Sequence, residues 1–223
     1  MTGTTMAIRE LHASCVRAIR EISPGVFILS LPPGATFRPG QVVAVTVDWA
    51  IPPRLFSLCN GTGDADWQIL FDVKPGGLLS PRLAALRAGD PLLVSAPFGS
   101  FACGTQGDWW IAAGTGIAPF RAMLRAGLGA DMRLIHGSRT PDRFYFEDEF
   151  LPLLGPRYVR CCSGAAGEGL YHGRLTAWLR DIPLPQAPTL FCLCGSPEMV
   201  VDVRDILIAR GITIASIRSE IYF

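Results

Sequence analysis

Ile111-Ala112-Ala113-Gly114-Thr115-Gly116-Ile117-Ala118-Pro119-Phe120 sets an apolar run against a Gly-Thr-Gly turn and then opens a helix on proline. The reading is a buried strand, a tight turn and a helix start, because proline lacks only an N–H that the first helical turn leaves unpaired. Glycines 114 and 116 let the backbone turn sharply and come close to a ligand, and the helix N-terminus offers unpaired N–H groups to a pyrophosphate. Taken alone, the same residues also serve simply to close a strand-to-helix turn, so the flanking chain has to decide.

Downstream, the strand, glycine-rich turn and helix recur. Residues 109–113 lead to a helix over 118–126, 132–137 to 147–154, 157–163 to 175–180, and 190–194 to 198–210, with a last strand expected over 212–217. This alternation predicts a parallel sheet with helices on both faces. Upstream the pattern differs. Short β-branched and aromatic runs at 16–22, 26–31, 41–47, 54–59, 67–73 and 91–95 are separated by Pro24-Gly25, Pro39-Gly40 and Gly61 to Gly63, as in an antiparallel sheet or barrel. A short helix is expected from Ser80 as cap, with Pro81 opening it and Gly89 beyond it. The fold class is therefore an antiparallel β-barrel domain, residues 1–105, followed by a parallel-sheet α/β nucleotide-binding domain, residues 106–223, with a cleft between them as a natural ligand site.

Three further stretches carry chemistry. Arg54-Leu55-Phe56-Ser57 opens a strand in the β-rich half. Its guanidinium suits a phosphate, its phenyl a planar isoalloxazine ring, and its hydroxyl a ring nitrogen. Strand alternation puts 54 and 56 on one face and 55 and 57 on the other, so a bulge or twist is needed for all of them to meet one ligand. Lys74-Pro75-Gly76-Gly77-Leu78-Leu79-Ser80 is a second candidate anion site, or a plain helix cap. Cys192-Leu193-Cys194-Gly195-Ser196-Pro197-Glu198-Met199 again runs from strand into helix, with small residues that let a ring lie close. The chain ends on Glu220-Ile221-Tyr222-Phe223, two aromatics that either join the core or cover a cofactor.

Composition narrows the class. With 49% hydrophobic and 17% charged residues in 223, the chain has material for a buried core. A formal charge of +1 without basic runs gives no footprint for nucleic acid or an anionic membrane. Apolar runs are short, no membrane insertion is expected, and Arg9, Glu10 and His12 occupy the place of a leader's apolar core, so a cytoplasmic protein is expected. Seven cysteines without zinc or iron–sulfur spacing predict reduced thiols and no metal.

In order and spacing these segments resemble the ferredoxin–NADP reductase family of two-domain flavoproteins, over residues 15 to 223. The resemblance implies that FAD phosphates meet Arg54, that Phe56 stacks on the flavin, and that Ser57 bonds near its N5. It implies that Lys74, Gly77, Leu78, Leu79 and Ser80 surround the FAD pyrophosphate, while Gly114, Thr115, Gly116 and Pro119 shape the nicotinamide dinucleotide site. Cys194 and Gly195 would lie beside the nicotinamide with Glu198 close by, and Tyr222 or Phe223 would cover the flavin and move aside. Ser57, Cys194 and Glu220 are the catalytic candidates, Glu220 as proton donor. Phe56 stands where the family usually has Tyr, Pro81 follows Ser80 where Thr is frequent, and the chain runs one residue past the usual final Tyr. Ser138 and Arg139 favour NADP(H) over NAD(H) by a hydroxyl and a charge facing a 2′-phosphate.

The implied activity is hydride transfer between NADP(H) and FAD, with electrons exchanged with a separate ferredoxin or flavodoxin that docks on arginines such as Arg38, Arg82 and Arg87. An NAD(P)H:flavin reductase and a non-catalytic electron-transfer or regulatory subunit of the same fold remain open alternatives.

Overall fold

The computed structural model describes residues 10–103, 107–185 and 188–222. The expected boundary between residues 105 and 106 lies outside the described residues, as does Phe223.

The N-terminal half is built from β1 (Leu11–Cys15), β2 (Ala18–Ser23), β3 (Val26–Leu31), β4 (Val42–Thr46), β5 (Arg54–Ser57), β6 (Trp67–Asp72), α1 (Ser80–Ala84) and β7 (Pro91–Ser95). They form two antiparallel sheets, β1-β7-β4-β5 and β2-β3-β6. A Leu58–Ile69 bridge and a 2.8 Å bond from Cys59 N–H to Gln68 O join the sheets at one seam. The strand expected over 16–22 is β2, which starts at Ala18, and it is preceded by β1, a strand the sequence did not announce. Val16 N–H donates to Asp90 O and Arg17 N–H to Ser30 O, so the chain changes sheets at 16–17, as strands do at barrel corners. Leu29, Leu31, Val43, Val45, Leu58, Ile69 and Leu83 fill the space between the sheets. Gly25, at φ +74°, makes the tight β2–β3 turn that a side-chain-bearing residue would resist.

The C-terminal half comprises β8 (Trp109–Ala113), α2 (Ala118–Arg125), β9 (Arg133–Ser138), α3 (Glu147–Leu154), β10 (Tyr158–Cys162), β11 (Leu170–His172), α4 (Leu175–Asp181), β12 (Phe191–Gly195), α5 (Pro197–Ala209) and β13 (Ile217–Ile221). All six strands run parallel in the order β11-β10-β9-β8-β12-β13. Successive side chains divide between the two faces. Trp110, Ala112, Cys192 and Cys194 pack with α2 and α3, while Trp109, Ile111, Phe191 and Leu193 pack with α4 and α5. The last strand lies later than expected. Ile212 and Ile214 alternate like strand residues, but a 3-10 turn occupies Ile214–Ser216 and pairing with β12 starts only at Ile217.

Contacts that hold the halves together include a buried arginine network and a disulfide. Arg121 on α2, only 8% exposed, bonds Glu149 on α3 at 2.6 Å and reaches Gln68 of β6 at 2.9 Å. Its guanidinium lies 4.1 Å from the centre of the Phe146 ring, and Phe146 itself takes the left-handed φ of +61°. Arg125 extends the network to Asp64 at 3.0 Å. The disulfide joins Cys103 and Cys192, with Cα atoms 6.3 Å apart, and overturns the expectation of seven reduced thiols. Partners 89 positions apart leave no spacing signature in the sequence.

Candidate functional site

The order of the parallel sheet locates the site. From β8 the chain adds β9, β10 and β11 on one side and then β12 and β13 on the other. The carboxyl ends of β8 and β12 are thus the point where the direction of winding reverses, the place where open α/β sheets bind ligands. The Gly114–Ile117 turn leaves one strand end and Gly195-Ser196 the other. They touch: a Cβ on Gly116 would come within 2.2 Å of Cys194 O and 2.8 Å of Gly195 Cα. Gly116 is glycine because two backbones meet there, whereas Gly114, at φ +55°, faces open space. Thr115 is half-buried beside them and Pro119 is buried under the start of α2. Beneath the turn lies His136, fully buried, its Nδ1 3.0 Å from the Tyr158 hydroxyl and its pKa pushed down to about 3 by loss of solvent.

Beside Cys194, the parallel register sets Glu220 of β13, and Tyr222 N–H donates to Gly195 O at 2.9 Å. From the other half comes Ser57, the last residue of β5, only 1% exposed. Its hydroxyl donates to Glu220 Oε1, and the Tyr222 hydroxyl donates to Ser57 Oγ at 2.6 Å. Ser57, Cys194, Glu220 and Tyr222 therefore form one cluster at the junction of barrel and parallel sheet. Burial governs their protonation. The Glu220 carboxyl is raised, chiefly by desolvation, with the Ser57 and Tyr222 hydrogen bonds pulling the other way. The Cys194 thiol and the Tyr222 phenol are raised well above their ordinary values, again chiefly by burial. Glu220 also borders a cavity of about 680 Å3 shared with Ser100, Phe101, Arg218 and Ser219, so one side of the cluster opens outward.

Along β5, pairing with β4 is unbroken from Ser57↔Val42 to Arg54↔Val45, so no bulge brings Arg54, Phe56 and Ser57 to one ligand and strand twist is the remaining way for them to share it. Phe56 is half-buried, its ring edge-on to Phe71 at 6.1 Å. Arg54 is exposed, and its guanidinium has no partner among the described residues. In the segment before α1, the backbone amides of Leu78 and Leu79 have no acceptor among the described residues, while Gly77 N–H donates to Lys74 O at 2.9 Å. Ser80 is not the helix cap: Leu79 takes that position, and Ser80 Oγ instead accepts Lys74 N–H at 2.9 Å, folding the glycine-rich segment back on itself. Lys74 pairs with Asp72 at 3.0 Å, and its charge also helps to hold the carboxyl of exposed Glu198 below the ordinary range, behind the larger effects of that residue's own backbone amide and Ser196. A free guanidinium, two free amides and a half-open aromatic in one half fit a flavin dinucleotide; the glycine turn in the other fits a second dinucleotide.

Ser138 and Arg139 end β9. Ser138 Oγ donates to Thr140 O at 2.8 Å, leaving it only its lone pairs for a ligand, whereas the Arg139 guanidinium is exposed. Sequence reasoning did not single out Arg121, Cys103 or His136. Arg121 reads as the polar residue of an amphipathic helix, and only its burial against Gln68 and Glu149 reveals its role.

The comparisons with known proteins follow this geometry. Residues 110–205 match the family described as Oxidoreductase NAD-binding domain. The toluate 1,2-dioxygenase electron transfer component of Pseudomonas putida is 28% identical over 94% of this chain and 67% of its own length. The flavodoxin/ferredoxin–NADP reductase of Escherichia coli strain K12 is 29% identical over 77% of this chain and 79% of its own. The structure of a ferredoxin NADP+ reductase from Neisseria gonorrhoeae with bound FAD and NADP superposes with a TM-score of 0.85, covering 96% of this chain and 99% of that one, at 20% identity. That last likeness establishes the fold, and no helix among the described residues is long and apolar enough to cross a membrane. Sequence, fold and topology agree: residues 110–205 carry an oxidoreductase NAD-binding domain, and the chain as a whole is similar to the ferredoxin–NADP reductase-like flavoenzymes.

Proposed function

We propose that this protein oxidises NADPH through bound FAD and hands the electrons to a separate protein carrier of the ferredoxin or flavodoxin kind. The observation that carries the reading is the Ser57–Glu220–Tyr222–Cys194 cluster, in which groups from both halves meet beside the reversal point of the sheet. When bound, the flavin supplies the redox chemistry, accepting a hydride from the nicotinamide and releasing its electrons onward.

The protein's part is to bind, orient and manage protons. Arg54 and the amides of Leu78 and Leu79 neutralise the FAD phosphates, with Lys74, Gly77 and Ser80 shaping that loop, and Phe56 lies against the flavin ring. With flavin bound, Ser57 Oγ would turn its one O–H from Glu220 toward the flavin N5 edge. Glu220, its carboxyl raised by burial, would supply a proton to Ser57 in turn, and its outward cavity connects it to solvent. Buried Cys194 and Gly195 keep water from the nicotinamide position. Tyr222 occupies the place of the incoming ring and swings aside to admit it. Gly114, Thr115, Gly116 and Pro119 form the turn over which the nicotinamide dinucleotide's pyrophosphate sits, with Glu198 at its edge. Arg139 supplies the charge that favours a 2′-phosphate.

The electron acceptor is proposed as a protein carrier because the similar proteins are named as flavodoxin/ferredoxin reductases or as oxygenase electron transfer components. The test is NADPH oxidation coupled to a ferredoxin or flavodoxin, run beside NADH and repeated with Arg139→Ala. The reading expects a rate with NADPH that exceeds the rate with NADH and a substitution that narrows the gap. Equal rates with both nucleotides, unchanged by the substitution, contradict the NADP preference, and absence of carrier reduction contradicts the partner.

A further inference from the structure

Trp49 is 74% exposed, the most exposed of the large apolar side chains among the described residues. Leaving an indole in water forgoes substantial burial, and here a well-bonded loop keeps it there. Asp48 Oδ1 accepts the Ala50 amide at 2.9 Å, Thr46 Oγ1 donates to Ile51 O at 2.9 Å, and Ile51 is itself buried at 6%. Pro52-Pro53 then stiffens the path into β5.

The loop is the tip of the β4–β5 hairpin, whose outermost register pair is Val45↔Arg54. Trp49 therefore lies five residues from Arg54, within a chain reach of about 17 Å. Read along β5, the order is Ser57 in the cluster with Glu220 and Tyr222, then Arg54 with its unpartnered guanidinium, then the loop bearing Trp49. A cation followed by a free aromatic face is the pair of groups that takes a nucleotide, the first for phosphate and the second for the base.

We propose that Trp49 is the platform on which the adenine of FAD stacks, with the dinucleotide extended along β5 from Ser57 past Arg54 to the hairpin tip. The inference rests on the reading that β5 binds FAD, and adds the subsite that distinguishes FAD from FMN, which lacks the adenylate. A Trp49→Ala change acts on an exposed side chain and leaves the fold intact.

The experiment measures dissociation constants of the flavin-free full chain for FAD and for FMN, in the parent protein, Trp49→Ala and Trp49→Phe. The expected result is a loss of FAD affinity of about tenfold or more in Trp49→Ala, unchanged FMN affinity, and near-parent FAD affinity in Trp49→Phe. Unchanged FAD affinity in Trp49→Ala, as expected of an indole that docks a protein carrier instead, overturns the inference while leaving the FAD reading intact. Equal weakening of FAD and FMN also overturns it. A parent protein that takes up neither flavin overturns both.

Discussion

Tyr222 donates its hydroxyl to Ser57 Oγ at 2.6 Å, joining the end of the parallel-sheet half to the last residue of β5 across 165 positions of sequence. Ser57 in turn donates to Glu220, so one serine hydroxyl is both acceptor and donor in a partly buried chain. Removing it leaves two polar groups without their partner. Ser57→Ala is expected to slow flavin reduction by NADPH about 100-fold or more, the range for a lost proton-handling group, and to lower stability by about 1–3 kcal/mol. Stopped-flow reduction and urea unfolding measure the two effects separately.

Glu220 gives a pH signature. Its carboxyl is raised, chiefly by desolvation, so the folded protein favours the protonated form. The corresponding stability is fully present below the unfolded carboxyl's ordinary value and is lost as pH rises through the raised value. Glu220→Gln keeps an acceptor for Ser57 but cannot ionise. Its stability relative to the parent is expected to improve as pH rises through that window, and parallel stability–pH curves for the two proteins count against the assignment.

Gly116 is the position at which the two proposed cofactor sites can be tested apart. A Cβ there meets Cys194 O at 2.2 Å, a backbone atom that cannot step aside. Gly116→Ala is expected to abolish reduction by nicotinamide nucleotides while the protein still carries its flavin, because the flavin groups lie in the other half. Visible absorbance reads flavin content, and addition of NADPH reads the loss.

The halves are fastened unequally. Arg121 is nearly buried, and Arg121→Leu strands the Gln68 side-chain oxygen and leaves Glu149 only its 3.4 Å contact with Arg125, at an expected cost of about 2–4 kcal/mol. Arg125, on the outer edge of the same network, is expected to cost less than about 1 kcal/mol when replaced by Leu. Denaturant unfolding of the two variants checks the order.

The Cys103–Cys192 disulfide predicts that denatured, unreduced protein titrates five thiols, those of Cys15, Cys59, Cys161, Cys162 and Cys194. Cys103→Ser is expected to lower stability by about 2–4 kcal/mol, since the bridge closes a long loop. A count of seven thiols contradicts the pairing.

How far the sequence speaks depends on whether the information is local. The strands Val26–Leu31 and Pro91–Ser95 and the helix Glu147–Leu154 agree with the sequence reading to the residue, because turn-forming residues or a clear apolar pattern bound them. The final strand was misplaced because Ile212 and Ile214 alternate as well as Ile217 to Ile221 do, and only the partner strand β12 distinguishes them. The three-residue β11 has too little pattern to announce itself. Ser57, Cys194 and Glu220 are named by the family resemblance, but their meeting in one cluster belongs to the tertiary fold, as do the Arg121 network and the disulfide.

Whether nicotinamide and flavin meet in this one protein is read from the visible spectrum of the gel-filtered protein, recorded anaerobically before and after one equivalent of NADPH. The expected result is a flavin spectrum that survives gel filtration and bleaches on addition of the nucleotide. A colourless protein, or a bound flavin that neither NADPH nor NADH reduces, contradicts it.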